Sequence, residues 1–248
     1  MGPPAAAKWL EQLAGAWGDS QDHTPPGFPP YNSLQPFPTI GSDLIAPLLQ
    51  PWAAARKEET NFEIEDGGGI CRPDGLLRGH QNRGFQMVAS TNQITMIGSS
   101  LLNRGLRRIY LKRGHLKTPP LTSFGDSVAY WDGDALVVDA IGFDDKSFMD
   151  LDGSRHSTEM HIVERWRFVA DGKWLERRWT VDDPRALKAP FTFLRYHERA
   201  PVDTRPAERV CLDEPETWRA WVYIRNTGVQ TLDEKRAEAA KAASQKKN

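Results

Sequence analysis

From about Gly84 onward, apolar and polar residues alternate with a period of two, the pattern of half-buried strands. Phe85 to Val88, Ile94 to Ile97 and Arg107 to Leu111 are short strands on this reading. Ser127 to Trp131 and Ala135 to Ile141, joined at Asp132-Gly133, form the clearest hairpin. His161 to Val169 and Trp174 to Val181, joined at Asp171-Gly172, form the next, and Phe191 to His197 and Trp218 to Ile224 add two more. Before Gly84 the period is different. Lys8 to Trp17 sets Trp9, Leu10, Leu13 and Trp17 near one helical face, and Leu44 to Glu63 reads as a helix with Pro47 in its first turn and Pro51 as a kink. The segment between them, "HTPPGFPPYNSLQPFPTIG", is too proline-rich for helix or central strand, and its aromatics Phe28, Tyr31 and Phe37 suit an arm lying on the body. "EDGGGICRPDG" reads as a loop.

Helical material at the ends and strands between them predict a mainly β fold, an antiparallel sheet curled into a barrel. Residues 1–83 would wrap it, 84–232 would form it, and 233–248, rich in Ala, Lys and Glu, would be a charged helical tail.

Composition narrows the function. The chain has 248 residues and a formal net charge of −1, so no overall field draws it to nucleic acid or an anionic membrane. No stretch approaches the roughly 18 apolar residues of a membrane span, and the N-terminus is a poor secretion signal, so a soluble cytoplasmic protein is expected. Association of two copies is compatible with the sequence. Cys71 and Cys211 form no metal spacing, and their pairing is left open. The "GGG" at 67–69 follows "EIED" rather than an apolar strand, so no dinucleotide site is expected. Nine Trp favour a core or cavity with flat walls.

Gly125-Asp126-Ser127 has the letters of a serine-esterase block, which would make Ser127 a nucleophile. That chemistry needs the serine at a strand-to-helix turn. Here Val-Ala-Tyr-Trp follows it in a strand context, so a strand-entry hydroxyl is the favoured reading.

"GDSVAYWDGDALVVDAIGFDD", "DLDGSRHSTEMHIVERWRF" and "VDDPRALKAPFT", with "CRPDGLLR" and "RRIYL" upstream and "ERVCLDE" near the end, fit a longer signature. On these segments the chain resembles a large family of mostly uncharacterised bacterial proteins. The resemblance implies a lipocalin-like (calycin-type) β-barrel. Through the few members with an assigned activity, it also implies cofactor-independent chemistry on lignin-derived phenolic dimers. One departure is specific: Asp126 stands where the family pattern has His.

Strand alternation sorts His161 to Val169 into two faces, one with His161, Val163, Arg165 and Arg167, the other with Ile162, Glu164, Trp166 and Phe168. Either face turned inward buries an ionisable group that must be paired or do chemistry. The bland account pairs Glu164 with Arg177 or Arg178, and Asp139 with Arg165. The functional account gathers His156, His161, Glu164, Arg165, Asp139, Asp144 and Asp145 at one site. Asp150-Leu-Asp-Gly resembles the start of a calcium loop but lacks the Glu that would be its bidentate ligand, and no metal or cofactor is expected.

The expected function is therefore a cofactor-independent lyase, a decarboxylase or carbon–carbon lyase, acting on a small phenolic or diaryl compound in the barrel. Removal of a phenolic proton pushes electrons through the ring to a quinone-methide-like intermediate and expels a benzylic group. His161 or Glu164 would be the base, Arg165 or Arg167 the anion holder, and His156 and Tyr130 proton donors. Trp131, Trp166, Tyr110 and Phe143 would wall the substrate, with Asp126 and Asp144 contacting it. Two alternatives stand beside it: a non-catalytic carrier of an apolar or aromatic ligand in the same cavity, and a serine hydrolase using Ser127.

Overall fold

In the computed structural model, which describes residues 3–18, 24–28, 45–67, 72–80, 84–98 and 105–204, eight of the period-two runs become strands and a ninth strand forms at Gly15–Trp17, in the segment expected to be helical. They are β1 (Gly15–Trp17), β2 (Phe85–Ala89), β3 (Gln93–Gly98), β4 (Leu106–Tyr110), β5 (Asp126–Asp132), β6 (Ala135–Ile141), β7 (His161–Val169), β8 (Trp174–Asp182) and β9 (Phe191–Glu198). They pair in sequence order in one sheet. The sheet nearly closes: Trp17 bridges Arg199, Gly18 N donates to Glu198 O at 2.8 Å, and Ala200 N donates to Ala16 O at 3.0 Å. Closure leaves few strand edges unpaired.

One pairing differs from the expected antiparallel pattern. β4 and β5 run parallel, through Ile109↔Ser127 and Tyr110↔Val128. A two-residue hairpin cannot join parallel strands; residues 111–125 instead cross the outside of the sheet. Gly125 ends that crossover at φ +65°, where an added Cβ would lie 2.6 Å from Ile141 O. The glycine of the Gly-Asp-Ser block is thus required by close approach to β6.

The N-terminal helices have other bounds than the periodicity suggests. Helix α1 covers Pro3–Leu13, and Trp17, expected on its face, lies in β1 with its indole donating to Leu13 O at 2.9 Å. The expected helix from Leu44 to Glu63 is broken into a 3-10 turn (Ala46–Leu48), α2 (Pro51–Glu58) and α3 (Phe62–Glu65). Pro51 opens α2 at its first position, where its missing N–H costs nothing, rather than kinking a longer helix. A further helix, α4 (Gly75–His80), occupies the end of "CRPDGLLR". The strand expected at 218–224, the charged tail, Tyr31, Phe37, Cys71 and Cys211 lie outside the described residues. No helix among the described residues is long and apolar enough to cross a membrane.

Each mouth of the barrel has an apolar plug. At one, Leu10 and Leu13 of α1 join Leu136, Trp166 and Leu175, and Trp9 meets Trp131 edge-on at 5.1 Å. At the other, Ala53 of α2 and Leu76 and Leu77 of α4 pack with Ile162, Trp179 and Phe193. Burial of this kind stabilises by roughly 25 cal/mol per Å² of apolar surface. Charged groups occupy the layer between the plugs.

Candidate functional site

The expected site residues fall into three places. In β7 the face carrying Ile162, Glu164 and Trp166 turns inward, each fully buried, so His161, Arg165 and Arg167 look outward.

Inside the barrel, Glu164 is held by two guanidinium groups. Arg107 of β4 donates to its Oε1, and Arg177 of β8 donates to Oε2 through Nη2 at 2.7 Å and Nε at 3.2 Å, with the Trp166 indole adding a fourth bond at 2.9 Å. Burial pushes the Glu164 carboxyl up, but Arg107 and Arg177 outweigh it and hold the group below its ordinary value, fully ionised. A carboxylate held this way orients the two arginines and is a weak base. Ser127 faces the same layer, where its Oγ accepts from Arg107 Nε at 3.1 Å. A cation cannot take the hydroxyl proton, so this contact does not activate Ser127 as a nucleophile. Two buried donors, Arg107 Nη2 and Trp179 Nε1, have no hydrogen-bond acceptor among the described residues.

On the outer face a chain of alternating charges crosses β5, β6 and β7. His161 Nε2 donates to Asp139 Oδ1 at 2.8 Å, and His115 Nε2 reaches the same oxygen at 3.2 Å. His115 Nδ1 reaches Asp126 Oδ2 at 3.1 Å. Arg113 grips both oxygens of Asp126, and Leu116 N donates to Oδ2 at 3.1 Å. Arg113 also lies over the Tyr110 ring at 3.8 Å. Burial raises the Asp126 carboxyl, but the bonds from Arg113, Leu116 and His115 prevail and bring it down to about 2. The bond to Asp139 raises the His161 imidazole above its ordinary value, and the same bond lowers Asp139. His161 Nδ1 makes no hydrogen bond among the described residues, and the side chain is 42% exposed. Three expected residues, Asp126, His161 and Tyr110, thus meet in one network. Asp139 was expected on Arg165 and instead serves His161; Arg165 pairs with Asp132.

The third place lies beside α2. His156 is buried, its Nδ1 donating to Ser157 O at 3.0 Å, which leaves Nε2 to accept the Ser147 hydroxyl at 2.8 Å. Burial lowers the imidazole pKa, so the ring stays neutral. Ser147 in turn presses on Gly75, at φ +82°, where an added Cβ would lie 2.6 Å from Ser147 Cβ. This explains the glycine of "CRPDGLLR". Asp144 accepts from Ser123 Oγ and Lys146 N, and Phe143 is core. Of the remaining expected residues, Tyr130 is exposed, Trp131 packs under α1, and Arg167 pairs with Glu176 at 2.5 Å.

Arg113 and His115 escaped the sequence reading. They lie in the crossover "LKRGHLKTPPL", which has no period to reveal which strand face it covers. A Arg-x-His between a strand and a Pro-Pro pair was the only signal.

No family model matches the chain, and no curated protein or solved structure gives a significant match.

Proposed function

We propose that the protein is a cofactor-independent acid–base enzyme, a lyase acting on a small phenolic or diaryl compound of the lignin-derived type. The observation that carries this reading is the Asp139–His161 pair: an imidazole oriented through Nε2 by a carboxylate, partly exposed, with Nδ1 making no hydrogen bond among the described residues. That is the arrangement of a positioned general base. His161 Nδ1 takes the phenolic proton. The electrons move through the ring and expel an oxygen substituent from the benzylic carbon, leaving a quinone methide, and the imidazolium gives its proton to the departing oxygen. The bond from the adjacent carbon to its carboxylate or hydroxymethyl group then breaks, its electron pair restoring the aromatic phenolate as CO2 or formaldehyde leaves. The proton of the hydroxymethyl oxygen passes through His161 to the phenolate, so the enzyme ends as it began. The substrate sits on the outer face of β5 to β7 rather than in the barrel. The barrel itself fits the lipocalin-like architecture that the sequence resemblance implies, with α1 across one mouth.

A specific observation favours a second reading, a carrier of an aromatic acid. Arg107 Nη2 and Trp179 Nε1 are buried donors that a carboxylate inside the barrel would satisfy. One screen separates the two. Aromatic acids are incubated with the protein and followed by ultraviolet absorbance and by mass, since loss of CO2 and of CH2O differ. The lyase reading expects a product whose formation stops in His161→Ala. Ligands bound unchanged, equally well by His161→Ala, would leave the carrier standing and sink the lyase.

A further inference from the structure

A cleft of about 720 Å³ opens beside α2, on a different part of the surface from the outer-face network. Arg56, Arg72, Lys146, Arg155 and Arg185 line it, against Glu59, Glu65 and Asp145: five cations to three anions, a surplus of two. The pairing inside it is also uneven. Glu65 Oε2 accepts from both Arg56 and Arg155, so a single carboxylate oxygen serves two guanidinium groups. Arg155 is only 9% exposed, yet its buried Nε has no hydrogen-bond partner among the described residues. Burial pushes its pKa down, and with the nearby Arg56 charge it outweighs the opposing pull of Glu65 and Asp145. Arg72 and Lys146 are exposed at the rim and form no ion pair among the described residues. Arg185 is only loosely matched, 3.7 Å from Glu159. The rest of the wall includes Ala55, Ser157, Thr158 and the indole of Trp52. Trp52 is 44% exposed, and its indole is fixed by donation to Arg185 O at 2.5 Å, which holds the ring at the lip.

From this geometry we infer that the cleft is a binding site for a planar aromatic compound bearing an oxyanion, a carboxylate or a phosphate. The oxyanion meets Arg155, Arg72 and Lys146, and the ring lies against Trp52. Guanidinium groups hold such oxyanions through charge-assisted hydrogen bonds, and a flat ring rewards an aromatic partner. Nothing in this inference depends on His161 or on the lyase reading.

Isothermal titration calorimetry of the full chain at low salt tests it, with benzoate, phenyl phosphate, inorganic phosphate and neutral benzamide as probes. Benzoate and phenyl phosphate bind, benzamide does not, and added salt weakens binding. The doubly substituted Arg72→Glu, Lys146→Glu protein keeps its unliganded thermal midpoint and loses at least about tenfold in affinity. Trp52→Ala weakens both aromatic probes and leaves inorganic phosphate unchanged, whereas His161→Ala binds all three anions as the parent does. The site is overturned if neither aromatic anion binds, if benzamide binds as well as benzoate, or if the double charge reversal is without effect. Loss of binding in His161→Ala would move the anion to the outer face and overturn it equally.

Discussion

Arg177 Nη2 donates to Glu164 Oε2 at 2.7 Å with both side chains fully removed from solvent. With Arg107 on the other carboxylate oxygen, Glu164 pairs with two buried cations at once in the middle layer of the barrel. Removing a single member of such a cluster leaves charge buried without its counter-charge, which costs about 3–5 kcal/mol. Glu164→Ala is therefore expected to lose that much stability in urea denaturation. Glu164→Gln keeps the volume but loses the charge and should lie between. A loss under about 1 kcal/mol for the alanine variant, the range of a surface ion pair, would mean that Glu164 does not hold the arginines in place.

The same residue marks how far the sequence could be read. Alternation in β7 separated Ile162, Glu164 and Trp166 from His161, Arg165 and Arg167 correctly, because parity is a local property. Which face turns inward was ambiguous: the more apolar set contained a carboxylate. The answer lies in Arg107 and Arg177, on other strands, whose positions follow from the closed sheet. Strands and hairpin turns were legible for the same local reason. The parallel β4–β5 step and the placement of His115 were not, since an aperiodic crossover carries no record of what it covers.

Asp126 anchors that crossover. Its side chain is 6% exposed and receives Arg113, His115 and the Leu116 amide. Its pKa lies near 2 against an ordinary 3.8, so the stabilisation is complete above 3.8 and disappears as pH falls through about 2. Asp126→Ala should cost about 1–3 kcal/mol at neutral pH and speed hydrogen exchange at Leu116 N. The cost should shrink as the parent is acidified below 3.8. A penalty that stayed constant down to pH 2 would show that ionisation of Asp126 is not what secures the loop.

Gly75 and Ser147 make a second coupled pair. Alanine at 75 meets a positive φ and a clash with the Ser147 side chain at once, so Gly75→Ala should destabilise by about 1–3 kcal/mol. In a Ser147→Gly background both the hydroxyl and the Cβ, 2.6 Å from the added Cβ, are gone, so the same substitution should cost less. Thermal denaturation of the four proteins measures the coupling. Equal penalties in the two backgrounds would assign the whole effect to backbone strain.

The Asp139–His161 bond fixes the pH range in which the outer-face network is tightest. The His161 pKa is raised above 6.5, so its contribution to stability is fully present below 6.5 and is lost as pH rises through the folded-state value. The Asp139 pKa is lowered below 3.8, so its contribution is fully present above 3.8 and is lost as pH falls through its folded-state value. The pair is therefore strongest between 3.8 and 6.5 and weakens on both sides. The contribution is small because the imidazole is substantially exposed, and the sensitive readout is the titration itself. Followed by NMR at the imidazole Cε1 proton, His161 should titrate above 6.5 in the parent and fall back toward 6.5 in Asp139→Asn, which keeps the shape but not the charge. For the lyase, the same substitution should move the acidic limb of the pH–rate profile, where the base becomes protonated, in the direction of the imidazole pKa. A His161 midpoint unchanged by Asp139→Asn would break the link between the carboxylate and the base, and with it the feature on which the catalytic proposal stands.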